Sequence, residues 1–262
     1  MKRQVNCSQT FFSVSLIAIS INSTFLSSIV SENPYFKQNF SHISVSDDTQ
    51  LLLAFSGFTD ISGIRGSTQI QQLARLGVIE TNSNTFRPSQ SITRGQFVAW
   101  LIKAYNQLHR TPILLTSTAV SAFPDVSPSH PYFRYIQSAH EAGFLVGFED
   151  GTFRPDIPLT REQMIALKSP LDSKGSSRRD ADSLRQFVTK TMGFADAEEM
   201  GDQYLQYIAF DLGNAAGGKN FQRVYGNTRI YAPKRPVTRE EAAILVSEFR
   251  KGKNITEVLE GR

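Results

Sequence analysis

The sequence predicts a mainly α-helical protein made of three helix–loop–helix repeats. Two observations carry that expectation. The first is a triplicated helix start. Thr93-Arg94-Gly95-Gln96, Thr160-Arg161-Glu162-Gln163 and Thr238-Arg239-Glu240-Glu241 each precede an apolar-periodic stretch. Each fits Ser/Thr-x-x-Glu/Gln, the capping box, in which the two side chains satisfy free amides at a helix N-terminus. The second is what stands around those starts. A proline lies five residues before each Thr (Pro88, Pro155, Pro233), with an aromatic two residues earlier (Phe86, Phe153, Tyr231). Further upstream comes Phe-x-Asp, at Phe58-Thr59-Asp60, Phe123-Pro124-Asp125 and Phe194-Ala195-Asp196. A motif recurring in fixed order is an internal repeat, and it sets the domain plan.

The chain has 262 residues, 40% hydrophobic and 20% charged, which is enough for a substantial core and argues against disorder. A net charge of +4 allows an acidic partner but is too small to indicate nucleic acid. Residues 1–31 read as a signal peptide or membrane anchor. Lys2 and Arg3 precede an apolar core from Phe11 to Ile21, with Ser and Asn interruptions that suit a spanning helix poorly and no A-x-A cleavage site after it. The single cysteine, Cys7, lies ahead of that core, so the exported portion is expected to rely on packing rather than disulfides. Residues 32–55 read as a polar linker.

Repeat one, residues 56–110, begins with a helix near Thr68 to Leu76, with Ile70, Leu73 and Ala74 inward and Gly77 closing it. Its second helix carries Phe97, Leu101, Ala104 and Leu108 on a wide apolar face, and Trp100 falls on core or ligand surface. Repeat two, residues 119–172, has a helix from about Pro131 with Tyr132, Tyr135, Ile136 and Ala139 at helical spacing, then Gly143 as its cap. Asp150-Gly151 marks a tight turn, and a second helix runs from Arg161 to about Lys168. Residues 173–193 connect to repeat three, with a helix starting at Asp180 or Asp182 and closed by Gly193. Repeat three, residues 194–252, holds Tyr204, Tyr207 and Ile208 on its first helix. A Gly/Asn-rich insertion from Asn214 to Asn220 follows, and the last helix carries Ala242, Ala243, Leu245, Val246 and Phe249 and ends at Gly252. Residues 253–262 read as a tail.

The arginines call for a reason. With Thr as N-cap, Arg94, Arg161 and Arg239 fall at the first helical position, where the helix dipole disfavours a cation by about 0.3–1 kcal/mol. A repeated cost implies a repeated use, either a salt bridge to a nearby carboxylate or a planar fork of donors for an anionic ligand. Other chemistry finds little support. Glu149-Asp150 near Asp156 does not match an EF-hand spacing, and His42, His109, His130 and His140 lack close ligand spacing. No Gly-x-Ser-x-Gly elbow or phosphate-binding glycine loop occurs, and no metal or cofactor is expected.

Residues 58 to 252 resemble the S-layer homology domains, which come as three tandem copies. The family pattern is matched most fully by Phe123-Pro124-Asp125-Val126, Tyr132, Gly143 and Gly147, Asp150-Gly151-Thr152-Phe153-Arg154-Pro155 and Thr160-Arg161-Glu162-Gln163. The resemblance implies a pseudo-threefold helical bundle with the helix after each capping box lining its centre. It implies non-covalent attachment of an exported protein to an acidic, often pyruvylated, cell-wall polysaccharide or peptidoglycan-linked polymer. The alternative is an envelope scaffold that binds another envelope protein through degenerate grooves. The long third loop and the lack of another module look like cyanobacterial members. By the same resemblance the ligand-binding residues are Arg161, Arg94 and Arg239, with Gly147, Asp150, Gly151, Thr160 and Tyr132. A groove around repeat two, with Gly147, Asp150 and Arg161, is the best preserved. Asp60, Asp125 and Asp196 are expected to be structural. Family carboxylates belong to turns and caps, so the chain is read as a non-enzyme.

Overall fold

A computed structural model describes residues 57–172, 179–213 and 220–261. The signal or anchor segment, the linker to residue 55 and most of the Gly/Asn-rich insertion lie outside these residues. Among the described residues no helix is long and apolar enough to cross a membrane.

The chain is mainly helical. In order it forms α1 (Ser67–Arg75), α2 (Arg94–Leu108), α3 (Phe133–Glu141), α4 (Arg161–Asp172), α5 (Ala181–Gln186) continued by a π-turn at Phe187–Thr191, and a 3₁₀ turn at Ala197–Glu199. It then forms α6 (Asp202–Gly213), α7 (Asn220–Tyr225), α8 (Arg239–Val246) and α9 (Ile255–Leu259). The expected helix starts hold, but the capping boxes close to different degrees. The Thr93 hydroxyl accepts from the Gln96 amide at 3.2 Å, while Gln163 reaches back to the Thr160 amide at 3.3 Å. Both halves form at Thr238 and Glu241.

The observed helices differ from expectation at several places, among them α7 (Asn220–Tyr225), which follows directly on the expected insertion. Helix α4 runs on to Asp172, because Pro170 in its last turn removes one amide donor without ending the helix. Helix α8 stops at Val246, short of Gly252, where the Ser247 hydroxyl takes the Ile244 carbonyl at 2.9 Å. The expected tail contains α9, whose Asn254 and Glu257 form a complete capping box.

What joins the three segments is a closed circuit of main-chain hydrogen bonds just ahead of α2, α4 and α8. The Leu159 amide donates to the Ile92 carbonyl at 3.0 Å, Ile92 to Val237 at 3.0 Å, and Val237 to Leu159 at 2.8 Å. All three side chains are fully buried. Short antiparallel bridges flank the circuit at Ser91 with Thr238, Thr93 with Pro158 and Thr160 with Pro236.

Helix N-termini leave amides that the helix itself cannot satisfy. Here the neighbouring segment supplies the acceptors. Arg94 and Gly95 donate to the Ile157 and Pro155 carbonyls, at 3.0 and 2.7 Å. Arg161 and Glu162 donate to Arg235 and Pro233, and Arg239 and Glu240 to Gln90 and Pro88. Each segment's helix is thus seated on the next segment's proline turn.

The proline turns are themselves built alike. Arg87, Arg154 and Ala232 adopt left-handed φ of 59°, 59° and 51°, a conformation unusual for residues with a side chain. A carboxylate holds each one in place. Asp60 accepts the Phe86 and Arg87 amides at 2.7 Å, Asp125 those of Phe153 and Arg154 at 2.8 and 2.6 Å, and Asp196 those of Tyr231 and Ala232 at 2.9 and 2.6 Å. These aspartates are structural, and the aromatics they anchor are fully buried, Phe86 against Trp100, Phe153 against Phe123 and Tyr231 against Phe221.

Truncating Leu159 removes a fully buried side chain at the circuit's centre. Leu159→Ala is expected to lose about 2–5 kcal/mol of stability, measured by chemical denaturation. A loss below about 1 kcal/mol would show that the junction is not a stability centre.

Candidate functional site

The local cost of a cation at the first helical position is explained by where each guanidinium goes. Arg94 reaches forward to the second segment, donating from Nε to the Phe153 carbonyl at 3.1 Å and from Nη2 to Val146 at 3.5 Å. Arg161 reaches the third, donating from Nη1 to the Tyr231 carbonyl at 2.8 Å. Arg239 returns to the first, donating from Nε to the Phe86 carbonyl at 2.8 Å. Each arginine thus donates to the carbonyl of the aromatic anchored by the segment's aspartate. The arginines also lie over aromatic rings: Arg94 on Phe148 and Phe153, Arg239 on Phe86 and Trp100, and Arg161 on Tyr225 at 3.7 Å.

Around Arg94 lies a cleft of about 770 Å³. Its walls are the Val146–Asp150 loop with Arg154, the α4 side chains Gln163 and Leu167, and the α6 side chains Gln203, Tyr204, Gln206 and Tyr207. Three segments therefore contribute. Burial brings the Arg94 guanidinium down to about 10, which leaves it a cation at neutral pH. Among the described residues Arg94 forms no ion pair, and its Nη1 donors carry no hydrogen bond.

The loop's shape follows from its residues. Gly151 takes φ +78°, and the Asp150 carboxylate accepts from the Thr152 amide at 3.0 Å and hydroxyl at 2.6 Å and from Arg154 Nη2 at 2.6 Å. Gly147 is required by close approach: a Cβ there would meet the Thr152 carbonyl oxygen at 2.6 Å and the Phe123 ring at 2.7 Å.

A second cleft, of about 390 Å³, is lined by Arg239, Phe86, Arg87, Gln90, Gln96, Glu80 and Tyr132. Glu80 accepts from Trp100 Nε1 at 3.0 Å and pairs with Lys103 at 3.4 Å. Trp100 is fully buried and its indole serves the core, with the N–H turned to Glu80.

The structure thus brings Gly147 and Asp150 together with Arg94, and Tyr132 together with Arg239. It does not bring Arg161 to Gly147 and Asp150, as the best-preserved groove was expected to do. Arg161 is buried against Tyr225 and the Tyr231 carbonyl, with Glu241 at 3.8 Å. Thr160 serves its helix start, its amide held by Gln163. Sequence reasoning missed the glutamines and tyrosines of α6, which reach the Arg94 cleft by packing along α4. Their helical spacing was visible, but which face met the neighbouring segment was not.

Two stretches of the chain, residues 57–98 and 122–165, match the S-layer homology domain. The third segment lies beyond both. Among curated relatives, an amylopullulanase of Thermoanaerobacterium thermosulfurigenes is 27% identical over 72% of this chain, and the exoglucanase XynX of Acetivibrio thermocellus is 27% identical over 72%. An endoglucanase of a Bacillus species is 25% identical over 64%. The chain spans only 9% of the first of these enzymes and 16% of each of the other two.

The Asp150 hydrogen bonds yield a pH expectation. Bonds from the Thr152 hydroxyl and amide, and then Arg154, hold its carboxyl down to about 2, below an ordinary aspartate. A lowered carboxylate stabilises the fold above its unfolded-state pKa and loses that contribution as pH falls toward the folded value. The loop should therefore stay closed at pH 4 and loosen as pH approaches 2, read from the Asp150 carboxyl resonance and exchange of the Thr152 amide. An Asp150 midpoint near 4 would contradict the geometry.

Proposed function

We propose that this protein is a non-covalent anchor that holds to the cell envelope by binding an acidic wall polysaccharide, pyruvylated or otherwise carboxylated. The observation that carries the reading is the cleft at Arg94. A guanidinium with free donors lies beside Tyr204, Tyr207 and three glutamines, a combination suited to a sugar ring bearing a carboxylate. The match of residues 57–98 and 122–165 to the S-layer homology domain supports it. So does the third segment, whose Asp196–Tyr231–Arg161 contacts repeat those of the other two. In this reading the third segment is a third copy, and the three form a pseudo-threefold bundle.

Arg94 supplies the principal anion contact. Gly147, Asp150 and Gly151 shape the loop beside it, and Arg239 with Tyr132 forms a lesser cleft. Arg161 and Thr160 act at a structural joint. The protein is exported, works at the cell envelope as a binding module rather than an enzyme, and needs no cofactor.

Co-sedimentation of the full chain with isolated cell-wall sacculi tests this. Arg94→Gln should weaken retention about 10- to 100-fold, the worth of a charge-assisted hydrogen bond. Raising salt, or removing pyruvyl groups chemically, should weaken wild-type retention as well. Wild-type protein left in the supernatant would overturn the anchoring reading in favour of an envelope scaffold that binds another protein.

A further inference from the structure

The three arginines share one backbone setting, yet their surroundings differ at one repeated position. Six residues ahead of the anchored aromatics Phe86, Phe153 and Tyr231 stand Glu80, Gly147 and Tyr225. The anchors are equivalent, since an aspartate holds each aromatic's amide and an arginine from the preceding segment takes its carbonyl. The residue six places earlier faces that arginine in all three segments.

At Arg94 this residue is Gly147, which adds no side chain and leaves a cleft with room for a sugar. At Arg161 it is Tyr225, the last residue of α7, whose ring lies 3.7 Å from the guanidinium carbon. Helix α7 is fixed there: Asp211 accepts the Asn220 and Phe221 amides at 3.0 and 2.9 Å, and the Phe221 ring stacks on Tyr231 at 4.0 Å. Buried Asp172, paired with Lys168 at 2.6 Å, also receives the Asn220 side chain at 2.8 Å. Arg161 is left with an Nε that has no hydrogen-bond partner and with Glu241 at 3.8 Å. At Arg239 the residue is Glu80, which sets a carboxylate in the same small cleft and is held there by Trp100 and Lys103. A like charge in a confined cleft opposes an anion.

We propose that Glu80, Gly147 and Tyr225 decide which groove takes the ligand's carboxylate, so that the chain has one anion-binding groove, at Arg94. Tyr225 occupies the Arg161 groove as a built-in substitute for a sugar face, and Glu80 biases the Arg239 groove against acidic rings. This rests on the glycan-binding reading above and adds the valency and the residues that set it.

The test is calorimetric titration of the full chain with a 4,6-O-pyruvylated methyl hexosaminide, with the unfolding transition of every variant measured alongside. Wild type should bind one equivalent and Arg94→Gln none. Arg161→Gln should keep the wild-type stoichiometry. Tyr225→Phe should behave as wild type because the ring is retained, while Tyr225→Gly or Glu80→Gln should add a second site. Three equivalents in wild type would overturn the proposal. So would loss of binding in a stably folded Arg161→Gln protein while Arg94→Gln still binds. If wild type takes up no probe and also fails to sediment with sacculi, the glycan reading falls and this proposal with it. Sedimentation that depends on Arg161 rather than Arg94 sinks the proposal alone.

Discussion

Everything in this structure depends on backbone amides being satisfied across segment boundaries. Ile92, Leu159 and Val237 exchange main-chain hydrogen bonds in a closed circuit, and the first amides of α2, α4 and α8 are received by the neighbouring segment's proline turn. A buried amide without a partner is costly, so none of the three helix starts is complete alone. The proline turn in its turn needs an aspartate to hold a left-handed residue. Folding of one segment therefore presupposes the next, which is the cooperativity expected of repeats that cannot bury their own faces singly.

The same arrangement makes the arginine cleft composite. A residue at the first helical position would point a cation at the dipole's positive end, but the seating of α2 on Pro155 carries Arg94 onto the Phe153 carbonyl and ring instead. Those contacts fix the guanidinium's orientation. All three walls around it belong to other segments, the Val146–Asp150 loop and α4 to the second and α6 to the third. The recurring scaffold gives three such positions, and the side chains facing them make the positions unequal.

Much of this was legible in the sequence because the signals were local. The Thr-Arg helix starts, the Phe-x-Asp and aromatic-x-Pro spacings, and the glycine caps at Gly77, Gly143 and Gly193 all have short-range causes, and those glycines take φ of +68°, +76° and +76°. What could not be read depends on distance. That Arg161 would meet Tyr225 rather than Gly147 requires knowing that each arginine crosses to the following segment. Helix α7 was missed because its N-terminal amides are capped by Asp211, from the preceding helix. Helix α9 is a different case: Asn254 and Glu257 display the capping pattern openly, within the stretch that reads as a tail.

The most direct measurement of the central claim is native-state amide hydrogen exchange at Ile92, Leu159 and Val237 as a function of low denaturant. If the circuit joins the segments, all three amides exchange only through global unfolding, with one common free energy and one denaturant dependence. An amide among them that exchanges through local opening, with a lower free energy and little denaturant dependence, would show that the segments close independently and would contradict the account.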